Sequence, residues 1–116
     1  MGKGGKAPAI KAIEEVKDAA KYSYLLDHKS VGPGKPFTRT QKRNILAENM
    51  KRNGGVIRSD KSGEILDMPK QSRKGEKANM NQAEIDHIKA KSKGGANSYK
   101  NAQVLSKTEN LDKLDK

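Results

Sequence analysis

The chain contains no cysteine and no tryptophan, and aromatic residues make up only 3% of its 116 residues. Without cysteine, neither a disulfide nor a zinc–cysteine cluster can stabilise the fold. No apolar run approaches the roughly 18 residues that a membrane span needs, and the N-terminus lacks the apolar centre of a signal peptide. Because only 32% of the residues are apolar, we expect a single domain with a small core and no membrane contact.

Positive charge is what the sequence has in excess. The formal net charge is +11, which favours polyanionic partners: nucleic acid, an anionic membrane or an acidic protein. Residues 29–77 hold 13 basic and 5 acidic residues, so this stretch carries +8 of the total. A capping box at Thr38–Gln41 predicts a helix that runs to about Arg52 and ends at an Asn-Gly-Gly sequence. Five of its side chains are basic and are either a solvated face or, as we favour, phosphate contacts: Arg39, Lys42, Arg43, Lys51 and Arg52.

Two segments before residue 40 are predicted to form an N-terminal unit and its boundary. Residues 1–30 contain a lead-in and a packing helix from Ala9 to about Leu26, and residues 31–116 form the main domain. The turn-rich sequence VGPGKP, 31–36, marks the boundary. Two short apolar runs within 55–67 flank a polar turn, which predicts a β-hairpin. The polar segment 69–82 is either a loop that closes over a substrate or only a connector.

The last third of the chain, residues 84–116, carries the candidate chemistry. A short apolar run with an adjacent Asp86-His87 pair is followed by a lysine- and glycine-rich excursion and a second apolar run at 102–105. Ser106 and Glu109 form a second capping box, which starts a helix. The pattern therefore predicts a strand, a long loop, a strand and a helix, with Asn110 in the first turn pointing at the first strand.

This ordered pattern resembles the ββα-metal motif of HNH nucleases, as in phage endonuclease VII and the HNH domain of CRISPR effector nucleases. The resemblance covers 33 of 116 residues and rests on Asp86, His87, Gly94, Gly95, Asn101, Gln103, Asn110 and Lys113. It implies an α+β fold: a small single domain with N-terminal helices, a β-hairpin and a C-terminal ββα-metal core at 84–116. The order of segments, with strings such as NGGVIRSDKSGE, also resembles the C-terminal nuclease domains of bacterial polymorphic toxins.

The resemblance implies a role for each matching residue. His87 is the general base, since an imidazole with a pKa near about 6.5 is largely neutral at cellular pH. Asp86 and Asn110 hold one divalent metal ion, Mg²⁺ first, with Mn²⁺, Ni²⁺ or Zn²⁺ as alternatives. Asn101 ties the loop down and orients His87, and Lys113 contacts a phosphate. Consecutive strand residues point to opposite faces, so Asp86 and His87 share one site only if the strand ends, bulges or twists there.

The expected function is a metal-dependent endonuclease that hydrolyses DNA with little sequence specificity. The setting implied by the toxin resemblance is export as part of a larger protein, action in the target-cell cytoplasm and neutralisation by an acidic immunity protein. A monomer is expected. Two alternatives stay open: an RNase toxin that uses the same residues, and a non-catalytic basic module that only binds nucleic acid. His28, near the end of the first predicted helix, is assigned no chemistry.

Overall fold

A computed structural model describes residues 21–71 and 73–114. Most of the packing helix predicted for residues 9–26 lies outside these ranges. The described elements are helix α1 (Arg39–Arg52), strands β1 (Ile57–Arg58), β2 (Ile65–Leu66), β3 (Ala83–His87) and β4 (Ala102–Ser106), and helix α2 (Lys107–Leu114). They form a small α+β domain with two separate two-stranded antiparallel sheets, which confirms the predicted fold class. Among the described helices, none is long and apolar enough to cross a membrane.

Helix α1 begins and ends where its sequence signals predict. The Thr38 side chain accepts from the backbone N–H of Gln41, and the Gln41 side chain accepts from the backbone N–H of Thr38. At the other end Gly54 has a φ of 70°, a conformation that glycine adopts at little cost. The N–H of Gly55 then donates to the carbonyl of Met50 at 2.8 Å, the contact that closes a Schellman-type ending.

The two hairpins have a regular register. Ile57 pairs with Leu66 in the short sheet. In the longer sheet, β3 pairs with β4 from Ala83 opposite Ser106 to His87 opposite Ala102, without a bulge. Helix α2 follows β4 directly, and its predicted capping box is present: the N–H of Glu109 donates to Ser106 Oγ at 3.0 Å, and the N–H of Ser106 donates to Glu109 Oε1 at 2.8 Å.

One small core joins these elements. It contains buried side chains from α1, both sheets and the loops between them, namely Tyr22, Phe37, Ile45, Ile57, Leu66, Ala83, Tyr99, Ala102 and Val104. Leu111 in α2 was expected to pack against the hairpin together with Leu114, but it is 43% exposed. The expectation for Leu111 was wrong because Asn110 and Lys113 turn the polar face of this short helix toward β3.

Residues just before the predicted boundary at 30/31 are part of the same packing. The hydroxyl of Tyr22, 1% exposed, donates to Asp60 Oδ2 at 2.8 Å. The same carboxylate oxygen accepts from the backbone N–H of Val104 in β4 at 2.7 Å. Burial, and the neighbouring Asp60 charge, raise the pKa of Tyr22 above its ordinary range. Tyr22 therefore links the start of the described chain to the strand opposite Asp86 and His87.

Candidate active site

Asp86 and His87 lie at the end of β3, where the chain bends at Ile88 and Lys89. Their side chains point to opposite faces of the sheet, as a regular strand requires. Asp86 faces the cross-strand residue Gln103, whose Nε2 donates to Asp86 Oδ2 at 2.8 Å. His87 faces the other way, toward the chain before α1. The strand ends directly after the pair, so their two surroundings meet around its last residue.

The imidazole of His87 is held on two sides. Its Nε2 lies 2.8 Å from the carbonyl oxygen of Lys35, and its ring lies against Phe37 with centroids 4.3 Å apart. A carbonyl oxygen only accepts hydrogen bonds, so Nε2 must carry the proton. In the neutral ring, Nδ1 then keeps its lone pair. The side chain is 8% exposed, so its orientation is fixed and only a small part of the ring reaches solvent.

The segment predicted as a linker is a strap, residues 32–35, that lies along the loop between β3 and β4. The N–H of Gly34 donates to the carbonyl of Gly95 at 2.9 Å, and the N–H of Gly32 donates to Asn97 Oδ1 at 3.0 Å. Lys35, at the end of the strap, supplies the carbonyl that binds His87. The strap therefore fixes the orientation of the candidate base.

Gly95 is where the loop comes closest to itself. A Cβ at this position would lie 1.8 Å from the carbonyl oxygen of Lys89. Only glycine fits there without moving backbone, since the obstructing atom belongs to the main chain. Gly94 differs: its φ is 87°, but nothing lies within 4 Å of the place of its Cβ. The Gly-Gly pair thus combines a left-handed turn with a close backbone approach.

Asn101 closes the same loop, as the resemblance implied. Its Oδ1 accepts from the N–H of Lys89 at 2.8 Å, and its Nδ2 donates to the carbonyls of Lys89 and Ala96 at 3.1 and 2.9 Å. Its own carbonyl accepts from the N–H of Ile88 at 2.8 Å. These bonds fix the chain immediately after His87. Asn101 has no hydrogen bond to the imidazole among the described contacts, so it acts on His87 through the backbone.

On the other face of β3, two carboxylates face α2. Asn110 Nδ2 donates to Glu84 Oε1 at 2.9 Å, and Lys113 Nζ lies 2.5 Å from Asp86 Oδ2. Lys107 lies 3.3 Å from Glu84 Oε2. Asn110 therefore faces β3 as predicted, but it contacts Glu84, whereas Asp86 contacts Lys113. Glu84 was not among the predicted site residues.

Three of the five predicted phosphate contacts line one groove with Asn110. This basic groove, about 680 Å³, lies between α1 and the β3–α2 face and contains Arg39, Lys42, Arg43, Leu46, Met68, Pro69, Gln82, Ala83, Glu84, Ile85 and Asn110. Lys51 and Arg52 are not in it. Arg52 donates to the carbonyl of Lys21 at 2.6 Å and its guanidinium lies 5.1 Å from the Tyr24 ring centroid, so its charge is used within the fold.

The donor atoms around β3 are compatible with a hard divalent cation. Asp86 supplies a carboxylate, and the carbonyls of His87 and Ile88 converge with it on the positively charged Lys113 Nζ. Oxygen ligands of this kind are those that Mg²⁺ prefers. Across residues 21–71 and 73–114, no group of three or more His, Cys, Asp or Glu side chains could hold a metal ion. A metal ion here would rely on few protein ligands and complete its shell with water and substrate.

Sequence reasoning missed three contributors to this site: the Lys35 carbonyl, the Phe37 ring and Glu84. A backbone carbonyl 52 residues away from His87 leaves no signal in residue types. Phe37 is the only phenylalanine in the chain, which was noted only as an anchor for α1. Glu84 did leave a signal, because it lies two residues before Asp86 and so shares its strand face.

No protein-family model, no curated protein and no solved structure matches this chain.

Proposed function

We propose that this protein is a metal-dependent endonuclease of the ββα-metal type that hydrolyses DNA phosphodiester bonds. The observation that carries the proposal is the arrangement of His87. Its Nε2 is committed to the Lys35 carbonyl, so Nδ1 is the atom with a free lone pair. A histidine held in one tautomer and fixed by ring packing against Phe37 suits a general base better than a solvated one.

The basic groove supports nucleic acid as the substrate. Its guanidinium and ammonium groups suit phosphate oxygens, and Arg in particular binds them in bidentate fashion. No aromatic ring stands among the described residues that line it. Single-stranded RNA and DNA are usually bound by stacking bases on such rings. The lining therefore favours the backbone of a duplex over unpaired bases, and it favours little sequence specificity.

A second basic surface extends this groove. Gln82 lines both the basic groove and a neighbouring cavity of about 110 Å³ in the 69–82 loop. The cavity is lined by four cationic residues and one acid, namely Lys70, Arg73, Lys77, Lys107 and Glu76. This composition supports the interpretation of the loop as part of the substrate surface rather than only a connector.

The residues divide the chemistry as follows. His87 Nδ1 takes a proton from the attacking water, and the water oxygen forms a bond to phosphorus as the bond to the leaving oxygen breaks. The leaving oxygen then gains a proton, so the products are a hydroxyl and a phosphate monoester end. Asp86 and Asn110 would hold the metal ion. When bound, that ion supplies charge that stabilises the phosphorane-like transition state and the leaving oxygen. Asn101 and the strap keep His87 in place.

The biological setting follows from the charge and from the resemblance to toxin domains. A DNase that acts on any sequence would damage the cell that makes it. With a net charge of +11, the protein suits an acidic immunity protein, steered to it electrostatically. We propose that the chain is the nuclease part of a larger exported protein that acts in the cytoplasm of a target cell. Co-expression with the neighbouring reading frame tests this setting independently of the chemistry.

The direct test of the proposed function is incubation with supercoiled plasmid and, separately, with total RNA, each with Mg²⁺ and with a chelator. Metal-dependent nicking of the plasmid, with RNA left intact, is expected. Cleavage of RNA alone would make the protein an RNase that uses the same residues. Tight binding to both substrates without cleavage of either would make it a non-catalytic nucleic-acid-binding module, and the proposed enzyme would be wrong.

A further inference from the structure

The ammonium of Lys113 is held by three oxygens from one short stretch of chain. Nζ lies 2.5 Å from Asp86 Oδ2, 2.6 Å from the His87 carbonyl and 3.2 Å from the Ile88 carbonyl. An ammonium has three N–H donors, so these oxygens use all of them. The carboxylate side chain is only 14% exposed. This arrangement is a cage around a cation rather than a solvated surface ion pair.

The cage lies at the free edge of β3, beside the candidate base. Lys107 N donates to the Gln82 carbonyl and Ile88 N donates to the Asn101 carbonyl, so the hydrogen-bonded pairs of the β3–β4 ladder fall at even-numbered β3 positions. The carbonyl of His87 therefore points away from β4. Lys113 Nζ binds there, next to the residue that would activate water, and on the carboxylate that would hold the metal ion.

We propose that Lys113 is a resident cation that a divalent metal ion must displace from Asp86. This inference rests on the proposed function. Two cations at hydrogen-bonding distance from one carboxylate oxygen repel each other, and a divalent ion repels the ammonium more strongly than a second ammonium would. The Lys113 side chain is 35% exposed and stands in the last turn of α2. It can therefore leave the cage without opening the core.

Displacement would couple metal binding to substrate binding. In the metal-free protein, Lys113 neutralises Asp86, so the carboxylate does not need a metal ion to remain in its partly buried place. Once a metal ion has taken Asp86, the ammonium is free to contact a phosphate, which is the role that the resemblance implied. Lys113 would then be a positioning residue that weakens metal affinity in the free protein and gains a partner only when substrate is present.

The test compares Lys113→Met with Lys107→Met. Methionine keeps an unbranched side chain without the charge, and Lys107 is a matched control because it stands on the same helix and pairs with Glu84 instead of Asp86. Mn²⁺ binding is measured by electron paramagnetic resonance on the whole chain without nucleic acid. We expect Lys113→Met to bind Mn²⁺ about fivefold more tightly than wild type, the size expected for loss of a partly exposed ion pair. Lys107→Met should change the affinity much less.

The Asp86→Asn background completes the experiment. There, Lys113→Met should no longer improve Mn²⁺ binding, since the carboxylate for which both cations compete is gone. Equal or weaker Mn²⁺ binding by Lys113→Met, or an equal gain in Lys107→Met, would overturn the inference. If wild type still nicks plasmid in either case, the proposed function survives. If neither wild type nor Lys113→Met binds Mn²⁺ and neither cleaves, the inference and the proposed function are both wrong.

Discussion

Replacing Gly95 by alanine should damage the site through the backbone alone. The added Cβ would lie 1.8 Å from the Lys89 carbonyl oxygen, 2.7 Å from its carbonyl carbon and 2.9 Å from the Ala90 carbonyl oxygen. All three atoms are main chain, so no side chain can rotate away. We expect a loss of roughly 3 kcal/mol in the free energy of unfolding, at the upper end of the cost of overpacking. The Gly34 N–H bonds to the Gly95 carbonyl, so the strap and His87 should shift with it.

Gly94→Ala is the matched control for this variant. Its φ of 87° makes alanine unfavourable, but the space around its Cβ is open, so we expect a cost of about 1–2 kcal/mol, that of a left-handed residue alone. Urea unfolding gives both free energies, and plasmid nicking at a temperature where both variants are folded gives the activity. The reasoning would be refuted if Gly95→Ala were as stable as Gly94→Ala and nicked plasmid at the wild-type rate.

Two further predictions concern charge. Removing the basic-groove cations Arg39, Lys42 and Arg43 should weaken binding to all DNA sequences alike and lower the salt slope by about 0.9 per real phosphate contact; Arg52→Ala should instead lower stability, and an unchanged slope in the triple variant would assign the groove to solvent. Burial opposes ionisation of Glu109, but hydrogen bonds from the Ser106 backbone and from serine hydroxyls outweigh it and lower its pKa below 4.5. Glu109 therefore contributes stability that is present above about pH 4.5 and lost as the pH falls through its lowered pKa. Glu109→Gln should flatten the dependence of stability on pH in acid, and an unaltered profile would contradict the cap.

Local signals in the sequence predicted the local structure. Both capping boxes are present, because each needs only two side chains and two N–H groups within four residues. The two hairpins also stand where alternating apolar runs and turn residues indicated. The side of α2 that carries Asn110 was predictable from helical spacing, since residues three or four apart share a face.

What depends on distant partners could not be predicted in the same way. The strap at 32–35 has the composition of a linker, and only the folded chain shows it hydrogen-bonded along the β3–β4 loop. The partner of Asp86 was another such case. Sequence spacing places both Asn110 and Lys113 on the face of α2 toward β3, but the rotation and height of the helix decide which of them contacts Asp86.

The central claim is that His87 is the base, and His87→Gln tests it most directly. The Gln amide can still donate to the Lys35 carbonyl, as Nε2 does now, yet it has no basic nitrogen. His28→Ala is the control, since that histidine is exposed and bonds only to Ser30. We expect His87→Gln to keep its melting temperature and its DNA affinity while the rate of plasmid nicking falls by about 10² to 10⁴, the range of general-base catalysis. Wild-type nicking by His87→Gln, or loss of nicking in a folded His28→Ala, would contradict the account.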